Sequence, residues 1–266
     1  FTTAGGSTVN YIAKWNGASW SALGTGMNTN GFVRALTLDS SGNIITGGEF
    51  TTVGGAPFNY IASWSGTSWT AVGTGVNSTV WAFTVDASGN LYAGGDFTTI
   101  GGATVNRIAK WNGTSWSALG TGMNSTVYAL AVDGSGTLYA GGAFTNAGGT
   151  AVNRIAKWNG TSWSALGSGF FAGTVRALAP DGGGNLYAGG TFVQAGGTVV
   201  NYVAKWNGTS WAALVTGVSA SVFSLAVDGS GNLYVGGSFT SAGATAVSRI
   251  AKWNGTSWSA LGTGMN

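Results

Sequence analysis

Along most of the chain, short apolar runs alternate with polar or small residues at a period of two, and the runs recur in a fixed order. One stretch shows the pattern. "VYALAVD" (127–133) leads through "GSGT" into "LYAGGAFT" (138–145), and the loop "NAGGTAVN" then precedes "RIAKW" (154–158), the turn "NGTS" and "WSALG" (163–167). Alternation over such short spans predicts half-buried strands, and the abundance of glycine disfavours helix. Asn-Gly between two apolar runs is a strong hairpin signal, because both residues tolerate positive φ. Read as a four-residue loop, "NGTS" sets the two flanking tryptophans opposite each other, whereas a two-residue Asn-Gly turn would shift that register.

The segment W-x-G-x-S-W occurs six times, starting at Trp15, Trp64, Trp111, Trp158, Trp206 and Trp253, so the unit repeats every 47–49 residues. A period in the forties belongs to propeller blades or paired-helix repeats, and the strand pattern selects the propeller. A β-solenoid is the alternative, but its coils usually take about 20–30 residues. The expected fold is therefore all-β, a β-propeller of four-stranded antiparallel blades, with five complete blades and an N-terminal half blade. Its units are 1–28, 29–77, 78–124, 125–171, 172–219 and 220–266, in a single propeller domain. First hairpins, near Val33, Val80, Val127, Val175 and Val222, number one fewer than second hairpins. That count predicts a further V-x-A-L…L-Y-A-G-G hairpin supplied upstream of Phe1 or by a partner.

Composition changes this picture in two ways. Only 6% of residues are charged, against about 25% in an ordinary soluble domain. The 13 Trp, 12 Phe and 8 Tyr nevertheless provide a packed interior. Ten basic residues face seven acidic ones without any basic cluster, so nucleic acid is not an expected partner. Cysteine and histidine are absent, which removes disulfides, thiolate metal sites and the commonest general base. No apolar run reaches the roughly 18 residues of a membrane-spanning helix, and no membrane insertion, cofactor or metal is expected.

The unit "AVDGSGTLYAGGAFTNAGGTAVNRIAKWNG" resembles the delta-60 type of β-propeller repeat and is similar to the repeats of Rax2-like cell-surface polarity proteins. The shared features are D-x-S-G before the second strand, G-G-x-F-T at its end and N-R-I-A-K-W in the third, and the likeness runs over essentially the whole chain. The resemblance implies an extracellular or cell-surface location and assigns no chemistry.

Three sets of residues could carry function. Asp39, Asp86, Asp133, Asp181 and Asp228 occupy one equivalent position before a turn. A single carboxylate per loop is poor for Ca²⁺, and acceptance of the turn's own N–H groups is the expected role. Glu49 and Asp96 break the repeat where other units carry Ala143, Thr191 and Ser238, and a carboxylate pair is what glycoside hydrolysis needs.

The third set varies most. Arg34, Trp81, Tyr128, Arg176 and Phe223 follow the first valine of each unit, and Tyr11, Tyr60, Arg107, Arg154, Tyr202 and Arg249 precede the third strand. In a propeller both positions approach one face, where arginine forks and aromatic rings serve a glycan or a protein partner, or else fill the mouth of the channel. Lys14, Lys110, Lys157, Lys205 and Lys252 recur too regularly for a site and should lie over apolar surface. The sequons at Asn77, Asn112, Asn124, Asn159, Asn207 and Asn254 fall in predicted loops.

The sequence thus favours a non-enzymatic surface scaffold for adhesion, assembly or self-association. Near-identity of the units supports this, since "IAKWNGTSWSALGTGMN" occurs verbatim at 108–124 and 250–266. A lectin-like module using the Arg/Tyr/Trp face is the alternative, and a glycan-processing enzyme using Glu49 and Asp96 comes third.

Overall fold

A computed structural model describes residues 1–28 and 31–265, and the chain divides into two compact units, 1–122 and 123–266. Among the described residues every regular element is a strand. Unit 1 holds the hairpin of Ala13–Trp15 with Trp20–Ala22, followed by two blades. The first blade comprises Val33–Leu38, Ile44–Gly48, Ile61–Trp64 and Trp69–Thr70, and the second Val80–Val85, Leu91–Gly95, Ile108–Trp111 and Trp116–Ala118.

Unit 2 holds the third blade (Val127–Val132, Leu138–Gly142, Ile155–Trp158, Trp163–Ala165) and the fourth (Val175–Pro180, Leu186–Gly190, Val203–Trp206, Trp211–Ala213). The fifth is Val222–Val227, Leu233–Gly237, Ile250–Trp253 and Trp258–Ala260. Each blade is an antiparallel meander, the four-stranded architecture of a β-propeller.

The "NGTS" turns settle the tryptophan register. Trp111 pairs directly with Trp116, and their rings lie 5.3 Å apart between centroids. The Asn112 Oδ1 closes the loop by accepting the N–H groups of Thr114 and Ser115 at 3.0 and 2.9 Å. Within each unit, second tryptophans also reach the preceding repeat. In unit 1, Nε1 of Trp69 donates to the Leu23 carbonyl at 3.0 Å and that of Trp116 to the Val72 carbonyl at 3.1 Å. In unit 2, Trp211 and Trp258 donate to Leu166 and Leu214 at 3.0 and 3.1 Å. A Cβ on Gly73 or Gly101 would lie 2.9 or 2.7 Å from the Trp116 ring, so glycine opens the slot that the indole occupies.

The Gly-Gly pair ending each second strand meets two different demands. A Cβ on Gly47 would meet Phe83 at 2.7 Å and Val80 at 2.8 Å in the next blade, so the first glycine permits face-to-face packing. A Cβ on Gly48 would collide with the Phe32 carbonyl of its own blade. The phenylalanine that follows, Phe50, Phe97, Phe144, Phe192 or Phe239, is wholly buried.

The segment read as the loop "NAGGTAVN" contains a further hairpin, Asn146–Ala147 with Thr150–Ala151, turned by Gly148 and Gly149 at φ 58° and 87°. Two consecutive positive φ values match the tight turn that a right-twisted hairpin prefers. Such hairpins also take the linker that follows the preceding fourth strand where one is present. Met27 bridges Val53 and Val76 bridges Ile100 in unit 1, and Met123 bridges Ala147 and Val218 bridges Ala242 in unit 2.

The aspartates serve their own turns. Asp86 Oδ1 accepts the N–H groups of Ser88 and Asn90, and Oδ2 accepts the Asn90 amide at 2.8 Å and the Tyr92 hydroxyl at 3.1 Å. Asp39, Asp133, Asp181 and Asp228 make the same backbone bonds. Burial pushes the Asp86, Asp133 and Asp181 carboxyls up. Hydrogen bonds from the side chains of Asn90, Ser135 and Asn185 and from the turn N–H groups outweigh it, leaving all three below the ordinary value. At Asp228 the Asn232 amide dominates and brings the carboxyl down to about 2. Tyr92 and Tyr139 are pushed up to about 12 by burial and by their aspartate neighbours.

Two outcomes follow from these environments. Depressed aspartates stabilise the fold fully above about pH 4 and lose that contribution as pH falls toward 2. Raised tyrosines contribute below about pH 10 and lose it as pH rises toward 12. Thermal melts should therefore show a plateau from about pH 5 to 9 and a fall on either side, and a maximum confined to mid-range would contradict the turn chemistry. Separately, the Thr46 Oγ1 is buried without a partner where other blades carry Ala93, Ala140, Ala188 or Val235. Thr46→Val should raise the urea-unfolding free energy by about 1 kcal/mol; a loss would show that the hydroxyl is satisfied.

Candidate functional site

The first candidate set lies on a backbone irregularity repeated in every blade. Pairing passes from Val33↔Gly48 to Ala35↔Gly47, leaving Arg34 as the extra residue, and the shift recurs at Trp81, Tyr128, Arg176 and Phe223. A bulge re-aims its side chain and locally ends the ladder, a device common beside functional sites. The second glycine of each Gly-Gly pair is what lets the strand approach closely enough to form it.

The same geometry fixes the bulge's neighbour. The Glu49 N–H donates to the Phe32 carbonyl at 2.9 Å, and Asp96, Ala143, Thr191 and Ser238 make the equivalent bond in their blades. The residue after Gly-Gly therefore sits beside the bulge, pairing Arg34 with Glu49, Trp81 with Asp96, Tyr128 with Ala143, Arg176 with Thr191 and Phe223 with Ser238.

In unit 1 both acids are engaged at these positions. Arg34 Nη2 and Nε lie 2.7 and 2.8 Å from Glu49 Oε1, and Trp81 Nε1 donates to Asp96 Oδ2 at 2.6 Å. The Arg34 guanidinium also stacks 4.9 Å from the Trp81 ring and 5.0 Å from that of Phe32. These contacts join the bulges of two successive blades into one arginine–aromatic cluster. Such a pair in a partly exposed setting is worth about 0–1 kcal/mol, so it orders the surface more than it stabilises the fold.

In unit 2, the Arg176 guanidinium lies 5.0 Å from the Tyr128 ring of the preceding blade, and Phe223 is 54% exposed.

The second candidate set has an unusual backbone. Tyr11, Tyr60, Arg107, Arg154, Tyr202 and Arg249 all adopt φ between 60° and 69°. Left-handed backbone at a non-glycine residue costs about 1–3 kcal/mol. Each residue closes the neck of the small hairpin: the Arg107 N–H donates to the Phe97 carbonyl at 2.8 Å, and its own carbonyl accepts the Gly95 N–H at 2.9 Å. Where their partners are defined, the side chains reach the segment that follows the last strand of their own repeat. Tyr11 packs edge-on to Phe32 at 6.3 Å, and Arg154 Nε donates to the Gly173 carbonyl at 2.7 Å. Arg249 Nη1 donates to the Met265 carbonyl at 3.1 Å, while Tyr60 and Tyr202 pack against core clusters. These contacts give the second set a clamping role.

Three of the regularly spaced lysines lie over rings. Lys110 pairs across the sheet with Tyr92, its Nζ 5.7 Å from the ring, and Lys205 and Lys252 cover Tyr187 and Tyr234 at 5.2 and 5.6 Å. Among the described residues no three His, Cys, Asp or Glu side chains converge as metal ligands would.

No family model matches the chain, so the delta-60 and Rax2-like resemblance rests on the repeat motifs alone. No curated protein matches it either. Solved structures do share the fold. The extracellular domain of a protein assigned as a hybrid two-component system of B. thetaiotaomicron aligns with TM-score 0.54 and 14% identity, over 78% of this chain and 26% of that one. The GH74 enzyme of Niastella koreensis aligns with TM-score 0.53 and 16% identity, over 85% of this chain and 38% of that one. This chain thus spans between a quarter and two-fifths of those proteins, and at such identities the likeness shows a repeated-blade, propeller-like fold and nothing of chemistry.

Proposed function

We propose that this chain is a non-enzymatic extracellular or cell-surface propeller scaffold that holds a protein partner, further copies of itself included, on its bulge and left-handed side chains. One observation carries the reading: both carboxylates beside the bulges are already engaged, Glu49 by Arg34 and Asp96 by Trp81, while the arginines and rings around them stack. That inventory suits recognition and leaves no uncommitted acid–base pair at the bulges of unit 1. The low charge of the surface adds to it, since little like-charge repulsion opposes association. The extracellular setting draws on the likeness in fold to the extracellular B. thetaiotaomicron domain and on the repeat resemblance.

A second reading, carbohydrate binding, is favoured by the exposed Phe223 ring and by the stacking of Arg176 on Tyr128. Aromatic faces and arginine forks are the groups that hold sugar rings and their substituents.

Sedimentation equilibrium at physiological salt should show concentration-dependent self-association, weakened several-fold by Arg34→Ala with Trp81→Ala. Monomers at every concentration would remove the self-assembling form of the proposal. Release of reducing ends from a glucan, abolished by Glu49→Gln with Asp96→Asn, would contradict its non-enzymatic form.

A further inference from the structure

The bulges are equivalent in backbone and unequal in charge. In the first blade the bulge arginine faces a carboxylate, with two guanidinium nitrogens within 2.8 Å of Glu49. In the fourth blade Arg176 occupies the same bulge, and the position beside it is Thr191. The Thr191 hydroxyl is already used by Thr174, accepting its N–H at 2.8 Å and meeting its Oγ1 at 3.2 Å. Arg176 Nε is buried and has no hydrogen-bond partner. Buried N–H groups without a partner are rare in native proteins, and each calls for a physical explanation.

The charges of the two units point the same way. Unit 1 carries four basic and four acidic residues, whereas unit 2 carries six basic and three acidic. The three acids of unit 2, Asp133, Asp181 and Asp228, are all bound into their own turns. Its three arginines, Arg154, Arg176 and Arg249, all belong to the candidate sets. Among the described residues of unit 2, then, no carboxylate stands beside a bulge as Glu49 does in unit 1.

We propose that Arg176 takes the carboxylate of an acidic sugar, a uronate within a glycan, in the role that Glu49 plays for Arg34. The guanidinium supplies a planar fork that matches a carboxylate through two parallel hydrogen bonds. The rest of the ligand is a sugar because the neighbouring bulges are aromatic. Tyr128 lies under the guanidinium on one side, and Phe223 stands exposed at the equivalent position of the fifth blade, whose first strand packs against that of the fourth. Flat apolar rings flanking a charged fork match the C–H face and carboxylate of a uronate ring. The inference rests on the carbohydrate-binding reading above and narrows it to one ligand class and one residue.

The test uses the full chain and calorimetric titration with oligogalacturonate, its methyl ester and oligoglutamate of equal length. Oligogalacturonate should bind, and methyl esterification should weaken binding at least tenfold because it removes the charge while keeping the ring. Thr191→Glu, which would install an internal carboxylate like Glu49, and Arg176→Gln should each weaken binding at least tenfold. Lys252→Gln, which removes the same charge away from the bulges, should change it less than twofold.

Equal binding of the ester, or retention of binding in both Arg176→Gln and Thr191→Glu, overturns the assignment while leaving carbohydrate binding in place. Tighter binding of oligoglutamate overturns the sugar and favours the protein partner. Absence of binding by all three ligands overturns the proposal outright. The ester comparison needs no variant, so it decides the matter even if a substitution fails to fold.

Discussion

Within each unit, second indoles of the tryptophan pairs (Trp69, Trp116, Trp211 and Trp258) span from their own sheet to the repeat before it, and much of the surrounding structure is arranged to let them do so. Trp116 is nearly buried, and its N–H reaches the Val72 carbonyl, a group that would otherwise be shut away from water without a partner. The slot depends on glycine at Gly73 and Gly101, and the ring's attitude depends on its register with Trp111. That register depends in turn on Asn112 capping a four-residue loop. Because the bond runs between repeats, the W-x-G-x-S-W segment cannot vary freely, and its recurrence has a structural cause in the way successive sheets are tied within each unit.

A second constraint produces the candidate surface. Close approach of the first strand to the second glycine of each Gly-Gly pair forces a bulge, and the neck of each small hairpin holds a left-handed residue. The scaffold therefore presents two irregular positions per blade at which side chains can differ without disturbing the ladder. Variation collects there. The bulges carry arginine, tryptophan, tyrosine and phenylalanine, while the aspartates, lysines and tryptophans of the frame hardly change. Charge separates the units at the same positions, since Arg34 is neutralised within its own blade and Arg176 is not.

The blades were legible in the sequence because each strand is a run of alternating residues closed by turn chemistry that admits few alternatives. The tryptophan register was legible too, once "NGTS" was read as a four-residue loop. The small hairpins escaped because two-residue strands such as Asn146–Ala147 leave no alternation to detect; Gly148-Gly149 was their only signal. Bulges add one residue without disturbing the apolar pattern, so Arg34 and its equivalents were recognisable as variable and not as irregular. The left-handed backbone at Arg107 and Tyr60 was hidden for the opposite reason, since residue type there favours ordinary backbone and the surrounding loop overrides it. The engagement of Glu49 and Asp96 depends on side chains brought together from two strands, which spacing alone does not reveal.

The dependence of the blades on the inter-repeat indole bond is tested most directly by hydrogen exchange at the tryptophan side chains, followed by NMR on the intact chain. The indole protons of Trp69, Trp116, Trp211 and Trp258 should be strongly protected and exchange together with the core amides of their blades, while those of the first tryptophans, Trp64 and Trp111 among them, exchange orders of magnitude faster. Equal, rapid exchange of all the indole protons while the strand amides stay protected would contradict the account, because the sheets would then hold together without the bond.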